Sequence, residues 1–245
     1  MKFSQAIQQK ISALPPDQKQ EIISLLEELE EAKGKEESRT DFLTFVKRMW
    51  PSFIAGRHHG IMSDAFERVA NGELKRLIIN MPPRHTKSEF ASYLFPAWFL
   101  GRYPEKKIIQ TAHTAELAVG FGRKVRNLIN QEDFQEVFPG ISLSSDSKAA
   151  GRWNTNKKGD YFAIGVGGAV TGKGADVLII DDPHSEQEAA LGAYNPEVYD
   201  KVYEWYTSGP RQRLQPGGAI IIVMTRWSVR DLTGQIIKSA TQREG

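Results

Sequence analysis

Short apolar runs alternate with segments of helical periodicity along most of this chain, and this alternation constrains the fold more than any other feature. Four runs have the length and composition of buried strands: residues 76–80 (RLIIN), 106–113 (KKIIQTAH), 175–182 (ADVLIIDD) and 218–225 (GAIIIVMT). Strands that are apolar on both faces and are joined through helices form parallel sheets covered on both sides. The sequence therefore predicts an α/β fold, a mainly parallel sheet with helices on both faces.

Helical and hairpin patterns fill the intervals between these strands. Residues 153–168 have the pattern of a hairpin with its turn at 156–159. Helical periodicity predicts six helices, at residues 41–53, 60–72, 87–104, 114–134, 195–214 and 228–240. The third of these helices carries an internal proline, Pro96.

The first 40 residues differ in character from the rest. Ile22, Leu25, Leu26 and Leu29 recur at helical spacing after two prolines, which predicts a short amphipathic helix. Residues 34–40 (GKEESRT) are charged and are expected to form a linker. We therefore predict an N-terminal helix and linker at 1–40 and a main domain at 41–245. Docking of the helix on its own main domain is favoured over docking on a partner.

Composition excludes several classes of protein. The 245 residues contain no cysteine, so neither a disulfide scaffold nor a thiolate metal site is possible. The five histidines form no pair at helical i, i+4 spacing, which argues against a histidine metal site. We expect no secretory signal peptide and no membrane span, because no apolar stretch reaches the required length. A net charge of +2 permits nucleic-acid binding without requiring it.

Residues 80–90 (NMPPRHTKSEF) lie between a predicted strand and a predicted helix, where phosphate-binding loops occur. The usual pattern Gly-x-x-x-x-Gly-Lys-Ser/Thr matches at Lys87 and Ser88 but would place glycines at Met81 and Thr86. Lys87 is suited to binding phosphates and Ser88 to binding Mg²⁺, while Arg84 adds a permanent cation. Taken alone the pattern is weak, because a strand-to-helix turn containing Lys-Ser also arises by chance.

Two further strands end in polar residues that suit nucleotide hydrolysis. Asp181 and Asp182 follow a buried strand, where one carboxylate can hold Mg²⁺ and the next can polarise an attacking water. The alternative for this pair is a turn or a helix cap. Thr225 ends the last strand and is a candidate sensor of the γ-phosphate, with an ordinary strand end as the alternative. Ligands of open α/β sheets bind outside the carboxyl ends of the strands. Lys87–Ser88 and Asp181–Asp182 both lie just beyond such ends, so the sequence favours a nucleotide hydrolase.

Four segments together resemble the ATPase domain of tailed-phage terminase large subunits, the motors that package DNA. The segments are LKRLIINMPPRHTKSEFAS (74–92), IIQTAH (108–113), TGKGADVLIIDDPH (171–184) and GGAIIIVMTRWSVRDLTG (217–234). The resemblance covers roughly residues 40–240 and implies an additional-strand, RecA-like P-loop NTPase fold. It also implies that ATP and Mg²⁺ are bound.

The resemblance implies a role for each matching residue. Phosphate binding falls to the loop residues Pro83, Arg84, His85, Thr86, Lys87, Ser88 and Glu89. Mg²⁺ is assigned to Ser88 and Asp181. The catalytic set is Lys87, Arg84, Asp182, Thr225 and Lys173. Asp182 stands where the family more often has glutamate, and Thr86 stands where the loop glycine is common. The adenine pocket is expected to draw on residues 49–62.

Lys173 enters the catalytic set as a substitute for an arginine finger. The family's arginine lies in the glycine-rich approach to the acidic strand, where this chain has VTGKGAD and no arginine. Arg123 and Arg126 are further candidates. A solvated charged surface is an equally good interpretation of all three residues.

The same resemblance implies the partners. These are double-stranded DNA, the portal protein and the small terminase subunit, with no membrane. The protein is expected to form a homo-oligomeric ring when assembled, or a monomer in isolation, and to act in the host cytoplasm at the procapsid portal. The C-terminal nuclease domain of large terminases is expected to be absent, and with it DNA cleavage. The alternatives are a helicase-like P-loop ATPase, a nucleotide- or DNA-binding scaffold with an inactive site and, more weakly, a small-molecule kinase.

Overall fold

The computed structural model describes residues 14–147, 149–170 and 172–242. Its α-helices are α1 (Pro16–Thr40), α2 (Phe42–Met49), α3 (Arg57–Ala70), α4 (Phe95–Arg102), α5 (Ala115–Ile129), α6 (Glu132–Val137), α7 (Glu186–Gly192), α8 (Glu197–Ser208) and α9 (Leu232–Thr241). A π-helical segment, Glu89–Leu94, leads into α4, and a 3₁₀ turn, Pro210–Arg213, follows α8. The strands are β1 (Arg76–Asn80), β2 (Lys107–Ala112), β3 (Arg152–Asn154), β4 (Asp160–Gly165), β5 (Ala175–Asp181) and β6 (Leu214–Met224).

These strands form one six-stranded sheet in the order β1-β6-β5-β2-β4-β3. Every pairing is parallel except that of β3 with β4, which is the predicted hairpin. The predicted α/β class with a mainly parallel sheet is therefore confirmed. β6 lies between β1 and β5 and pairs with both, which brings the carboxyl ends of three strands side by side.

The sheet is buried on both faces because its central strands contain continuous apolar runs, residues 177–180 in β5 and 219–224 in β6. Along β6, Ile221 and Val223 join the core cluster that contains α3 and α4, whereas Ile220 and Ile222 join the cluster that contains α8 and Leu232. Successive side chains of a strand point to opposite faces, so a continuous apolar run fills both cores.

The helix α1 corrects one expectation, because residues 34–40 are helical and do not form a linker. Charged side chains one turn apart pair along this stretch, as in Lys35 with Glu31 and Arg39 with Glu36, which favours continuing the helix. The end of α1 is docked on the main domain. The Trp98 indole N–H donates to the Ser38 carbonyl at 3.0 Å. The division of the chain at residue 40 stays a prediction.

The predicted helix at 87–104 begins with a π-helical turn. Pro96 has no N–H and cannot complete an α-helical bond to the turn before it, but it is tolerated in the first turn of α4. The wider Glu89–Leu94 turn precedes it directly and carries Ser92, which contacts the site described below. π-turns of this kind recur at functional sites.

No helix in the described ranges combines the length and the apolar character that crossing a bilayer requires.

Close packing at the end of β4 makes the fold sensitive to one methyl group. A Cβ at Gly165 would lie 2.5 Å from the backbone nitrogen of Ala115, at the start of α5. We expect Gly165→Ala to lower the free energy of unfolding by about 1–3 kcal/mol, as other overpacked sites do. Urea unfolding of the variant and the wild type measures this change in the free energy of unfolding.

Gly120→Ala is the matched control, because nothing lies within 4 Å of the added Cβ in the interior of α5. Alanine favours a helix over glycine by roughly 1 kcal/mol, so this variant should be at least as stable as the wild type. Equal stability of the two variants would contradict the packing argument.

Candidate active site

The ends of β1, β5 and β6 bring together the residues that the sequence singled out. Lys87, only 5% exposed, follows β1 and extends toward the other two strands. Its Nζ lies 2.9 Å from Asp182 Oδ2 and 3.4 Å from Thr225 Oγ1. The Thr225 hydroxyl donates to the Met81 carbonyl at 3.3 Å. Residues far apart in the sequence therefore form one cluster at the edge of the sheet.

Asp181 is held by the hydroxyl groups of Ser88, in the loop, and Ser92, in the π-helical turn that follows it. Ser88 Oγ donates to Asp181 Oδ1 at 2.8 Å, and Ser92 Oγ donates to Asp181 Oδ2 at 2.6 Å. Gln110 Nε2 donates in turn to Ser92 Oγ at 3.0 Å. Asp181 is 3% exposed, and burial raises its pKa to about 7 although both hydroxyls favour the carboxylate.

The oxygens of Ser88 and Asp181 fit a magnesium site. A Mg²⁺ ion with bonds of about 2.1 Å places adjacent ligands about 3 Å apart, close to the separation of Ser88 Oγ and Asp181 Oδ1. Among the residues that the structure describes, no group of three or more His, Cys, Asp or Glu side chains could hold a metal. Mg²⁺ at this pair would therefore take most of its ligands from substrate phosphates and water, as it commonly does.

Asp182 has both carboxylate oxygens engaged and a left-handed backbone. Its φ is 38°, and its N–H donates to the Val223 carbonyl at 2.9 Å. Oδ1 accepts from the Thr225 backbone N–H at 2.8 Å, while Oδ2 forms the ion pair with Lys87. The carboxylate is thus a bridge between the loop lysine and the end of β6.

The loop itself contains two left-handed residues that are not glycine. Arg84 and Thr86 both have φ of 62°. This conformation costs roughly 1–2 kcal/mol for a residue with a Cβ and is least common for β-branched residues such as threonine. Thr86 occupies the position of the loop glycine, so its backbone adopts the conformation that glycine usually supplies.

Hydrogen bonds hold this conformation. The Thr86 hydroxyl donates to the His85 carbonyl at 2.6 Å, and His59 Nε2 lies 2.7 Å from the same hydroxyl oxygen. His85 Nδ1 lies 2.9 Å from the Pro83 carbonyl. The prolines, the histidines and the threonine hydroxyl thus shape a loop that glycines usually build.

A cleft of about 750 Å³ opens beside this cluster. Asp182 and Thr225 line it together with Pro83, Trp227 and the first turn of α7, which includes Glu186. The cleft gives a substrate access to the two residues at the ends of β5 and β6.

The segment after β6 is organised by the buried carboxylate of Asp231. Its Oδ2 accepts from Arg226 Nε at 2.9 Å and from the Trp227 N–H at 2.9 Å, and its Oδ1 accepts from the Gly234 N–H at 2.9 Å. Burial acts to raise the pKa of Asp231, but these hydrogen bonds outweigh it and hold the pKa below the usual 3.8.

The remaining candidates lie outside the cluster. Lys173 pairs with Asp160, the first residue of β4. The pair therefore lies at the amino ends of the parallel strands, whereas the cluster lies at their carboxyl ends. Arg84 is exposed, and Glu89 pairs with Lys124 at 2.8 Å. The structure does not bring Lys173 to the cluster of its own chain, and its proposed role stays a prediction.

Sequence reasoning missed Ser92, and it placed His59 only within the segment 49–62 that was expected to contribute to the adenine pocket. Ser92 follows Ser88 at the i, i+4 spacing that places side chains on one face of a helix, so a signal was present. The contact of His59 with Thr86 gave no signal, because it depends on how α3 packs beside the loop.

Comparison with known proteins finds a resemblance to terminase large subunits. The terminase large subunit of Enterobacteria phage T3 is 25% identical over 168 residues, which cover 67% of this chain and 28% of that protein. The chain resembles terminase large subunits. The crystal structure of the HK97 bacteriophage large terminase superposes with a TM-score of 0.51 at 15% identity, over 84% of this chain and 42% of that one, and this likeness shows the fold. No protein-family model matches the chain.

The resemblance to terminase large subunits that the motifs indicated is thereby confirmed. The chain spans less than half the length of each of these two relatives.

The buried Asp231 carboxylate predicts a pH-dependent contribution to stability. Asp231→Asn should lower the free energy of unfolding by about 1–3 kcal/mol at neutral pH, because an amide cannot accept from all of these donors. Its folded pKa is depressed, so the wild-type advantage is present above pH 3.8 and is lost as the pH falls through the folded pKa. Urea unfolding at several pH values measures it.

Asp200→Asn serves as the control, since Asp200 forms an exposed pair with Arg230. Exposed pairs contribute about 0–1 kcal/mol. A stability gap between Asp231→Asn and the wild type that did not shrink in acid would contradict the assignment.

Proposed function

We propose that this chain is the ATPase domain of a viral DNA-packaging terminase and hydrolyses ATP to move double-stranded DNA into a procapsid. The observation that carries the proposal is the single cluster formed by Lys87, Ser88, Asp181, Asp182 and Thr225. These are the residue types that a P-loop ATPase requires, gathered at the carboxyl edge of a parallel sheet.

The loop would hold the phosphates of ATP. Alternation of left-handed with other conformations turns successive backbone N–H groups toward one side, which makes an anion-binding concavity. Arg84 and Thr86 have the left-handed conformation, and the exposed Arg84 side chain can add a bidentate cation. Lys87 Nζ would bind the β- and γ-phosphates.

Ser88 and Asp181 would hold Mg²⁺, with Ser92 and Gln110 orienting the carboxylate from behind. Bound there, Mg²⁺ would neutralise charge on the β- and γ-phosphate oxygens. The hydroxyls fix the direction of the Asp181 oxygens, as the hydrogen-bond partners of metal-binding carboxylates commonly do.

The Lys87–Asp182 ion pair would break when ATP binds, and Lys87 would pair with the phosphates instead. Phosphate oxygens compete with Asp182 Oδ2 for Lys87, and the loss of that pair frees Oδ2 to accept a hydrogen bond from a water molecule. The water oxygen then forms a bond to the γ-phosphorus as the bond to the bridging oxygen of ADP breaks, and Asp182 Oδ2 accepts the proton that the water loses. Oδ1 stays on the Thr225 backbone N–H, so the state of Asp182 is transmitted to the end of β6.

The partners follow from the relationship to terminases. Double-stranded DNA would be gripped mainly through its phosphates, so binding should weaken steeply with salt. A portal protein, a small terminase subunit and a homo-oligomeric ring belong to the same proposal, with the host cytoplasm as its location. Lys173 could act only on a neighbouring subunit's site, because its own pair with Asp160 lies at the opposite edge of the sheet.

Lys87→Ala tests the site directly. We expect Mg²⁺-dependent phosphate release from ATP to fall by about 100-fold or more, because the variant loses a cation that stabilises the developing charge. Lys157→Ala removes an exposed lysine at the far edge of the sheet and should turn over at the wild-type rate. Near-normal turnover in Lys87→Ala would refute the site.

Asp182→Asn should separate binding from turnover. The variant removes the negative charge that competes with phosphate for Lys87, so ATP affinity should stay equal or increase. Turnover should fall by roughly 100- to 10,000-fold, because the amide cannot accept a proton from water. Equilibrium titration and phosphate release measure the two quantities, and equal losses of both would contradict the exchange.

Two alternatives have distinct outcomes. A helicase-like ATPase would separate strands, so a strand-separation assay beside a duplex-translocation assay distinguishes it from a packaging motor. A scaffold with an inactive site is suggested by the absent loop glycines, and Lys87-dependent turnover excludes it.

A further inference from the structure

His59 connects a helix outside the sheet to the loop that would bind phosphate. It lies in the first turn of α3 and is a buried residue, at 5% exposed. The ring is stacked on Phe90 at 5.2 Å between centroids and contacts the edge of Phe53 at 4.6 Å. Because Phe90 directly follows the loop, the His59 ring is held against the helix that the loop leads into.

The hydrogen bonds of His59 define which nitrogen carries the proton. The Gly56 backbone N–H donates to Nδ1 at 2.7 Å, so Nδ1 is the acceptor. In the neutral ring Nε2 then carries the hydrogen and donates to Thr86 Oγ1 at 2.7 Å. Burial, together with the adjacent His58, lowers the pKa of His59, which favours this neutral form.

The Thr86 hydroxyl completes the chain of donors. Its own hydrogen goes to the His85 carbonyl at 2.6 Å, so its oxygen is available to accept from His59. The direction of every bond from Gly56 to His85 is therefore determined. The series of hydrogen bonds ends at the carbonyl of His85. His85 directly precedes Thr86, whose backbone has the left-handed φ of 62°.

We infer that His59 is a positioning residue for the phosphate loop, and that its bond to Thr86 maintains the backbone conformation for which glycine is otherwise used. The inference rests on the proposed ATP site for its functional consequence. The effect of His59 on the loop conformation does not depend on bound nucleotide, because the hydrogen bond to Thr86 and the left-handed φ are both features of the chain itself.

A double-mutant cycle tests the inference. Four forms of the full chain are compared: wild type, His59→Ala, Thr86→Gly and the double variant. Glycine adopts φ of 62° without a Cβ penalty, so a loop with glycine at position 86 should not need His59. Titration with a fluorescent ATP analogue and Mg²⁺ gives the affinity, and urea unfolding without nucleotide gives the conformational coupling.

We expect His59→Ala to weaken binding of the analogue about tenfold, which corresponds to the loss of one well-placed interaction. The affinity of Thr86→Gly is the reference for its own background, and the double variant should match it. In urea, removal of His59 should likewise cost less stability in the Thr86→Gly background. Equal losses from His59→Ala in both backgrounds, in affinity and in unfolding, would overturn the inference.

Thr86→Val provides a second route if His59→Ala does not fold. Valine keeps the branched shape and removes the hydroxyl that accepts from His59, while α3 is untouched. This variant should lose affinity to about the same extent as His59→Ala, and wild-type affinity with an intact fold would overturn the inference. His59→Gln, which keeps an N–H donor, should restore part of the loss.

Failure of the proposed function gives a different pattern. If the wild type and Lys87→Ala both fail to bind the ATP analogue, the ATP site is wrong, and the unfolding cycle still decides whether His59 positions Thr86. If Lys87→Ala loses binding while the His59 series shows no coupling, the positioning role alone is wrong.

Discussion

The pairing of β6 with both β1 and β5 is the constraint on which the rest of the site depends. Parallel registers align Asn80 with Met224 and Asp181 with Val223, so the chain leaves all three strands at the same edge. Lys87, Asp182 and Thr225 can therefore meet within hydrogen-bonding distance. A slip of one residue in either pairing would turn these side chains to the wrong face and separate them.

Three residues near this edge have a left-handed backbone without being glycine: Arg84, Thr86 and Asp182. Each carries a conformational cost, and at Thr86 and Asp182 a network of hydrogen bonds offsets it. Asp182 is held through Val223 and Thr225, and Thr86 through His85 and His59. Departures from the preferred backbone conformation concentrate where the polar groups must converge, which is typical of functional sites.

Much of the architecture was accessible from local patterns. The four apolar strands and the hairpin appear where periodicity placed them, although β6 begins at Leu214, earlier than the apolar run suggested. The linker expected from the charged composition of residues 34–40 is wrong, because Lys35 and Arg39 pair with glutamates one turn away and the helix continues. The hydrogen bond from Trp98 to Ser38 docks α1 on the main domain and stabilises the helix further. No local sequence pattern predicts this contact, because it joins segments that are far apart in the chain.

The sequence by itself determined the α/β class, the strands and the chemical types of Lys87, Ser88, Asp181, Asp182 and Thr225. These depend on hydrophobic periodicity and on residues next to one another in the chain. Only the tertiary structure decided that Lys87 pairs with Asp182, that Ser92 and Gln110 support Asp181, and that His59 holds the left-handed Thr86. The physical reason is that these contacts join segments whose relative positions are set by sheet order and helix packing, and local sequence patterns do not specify either.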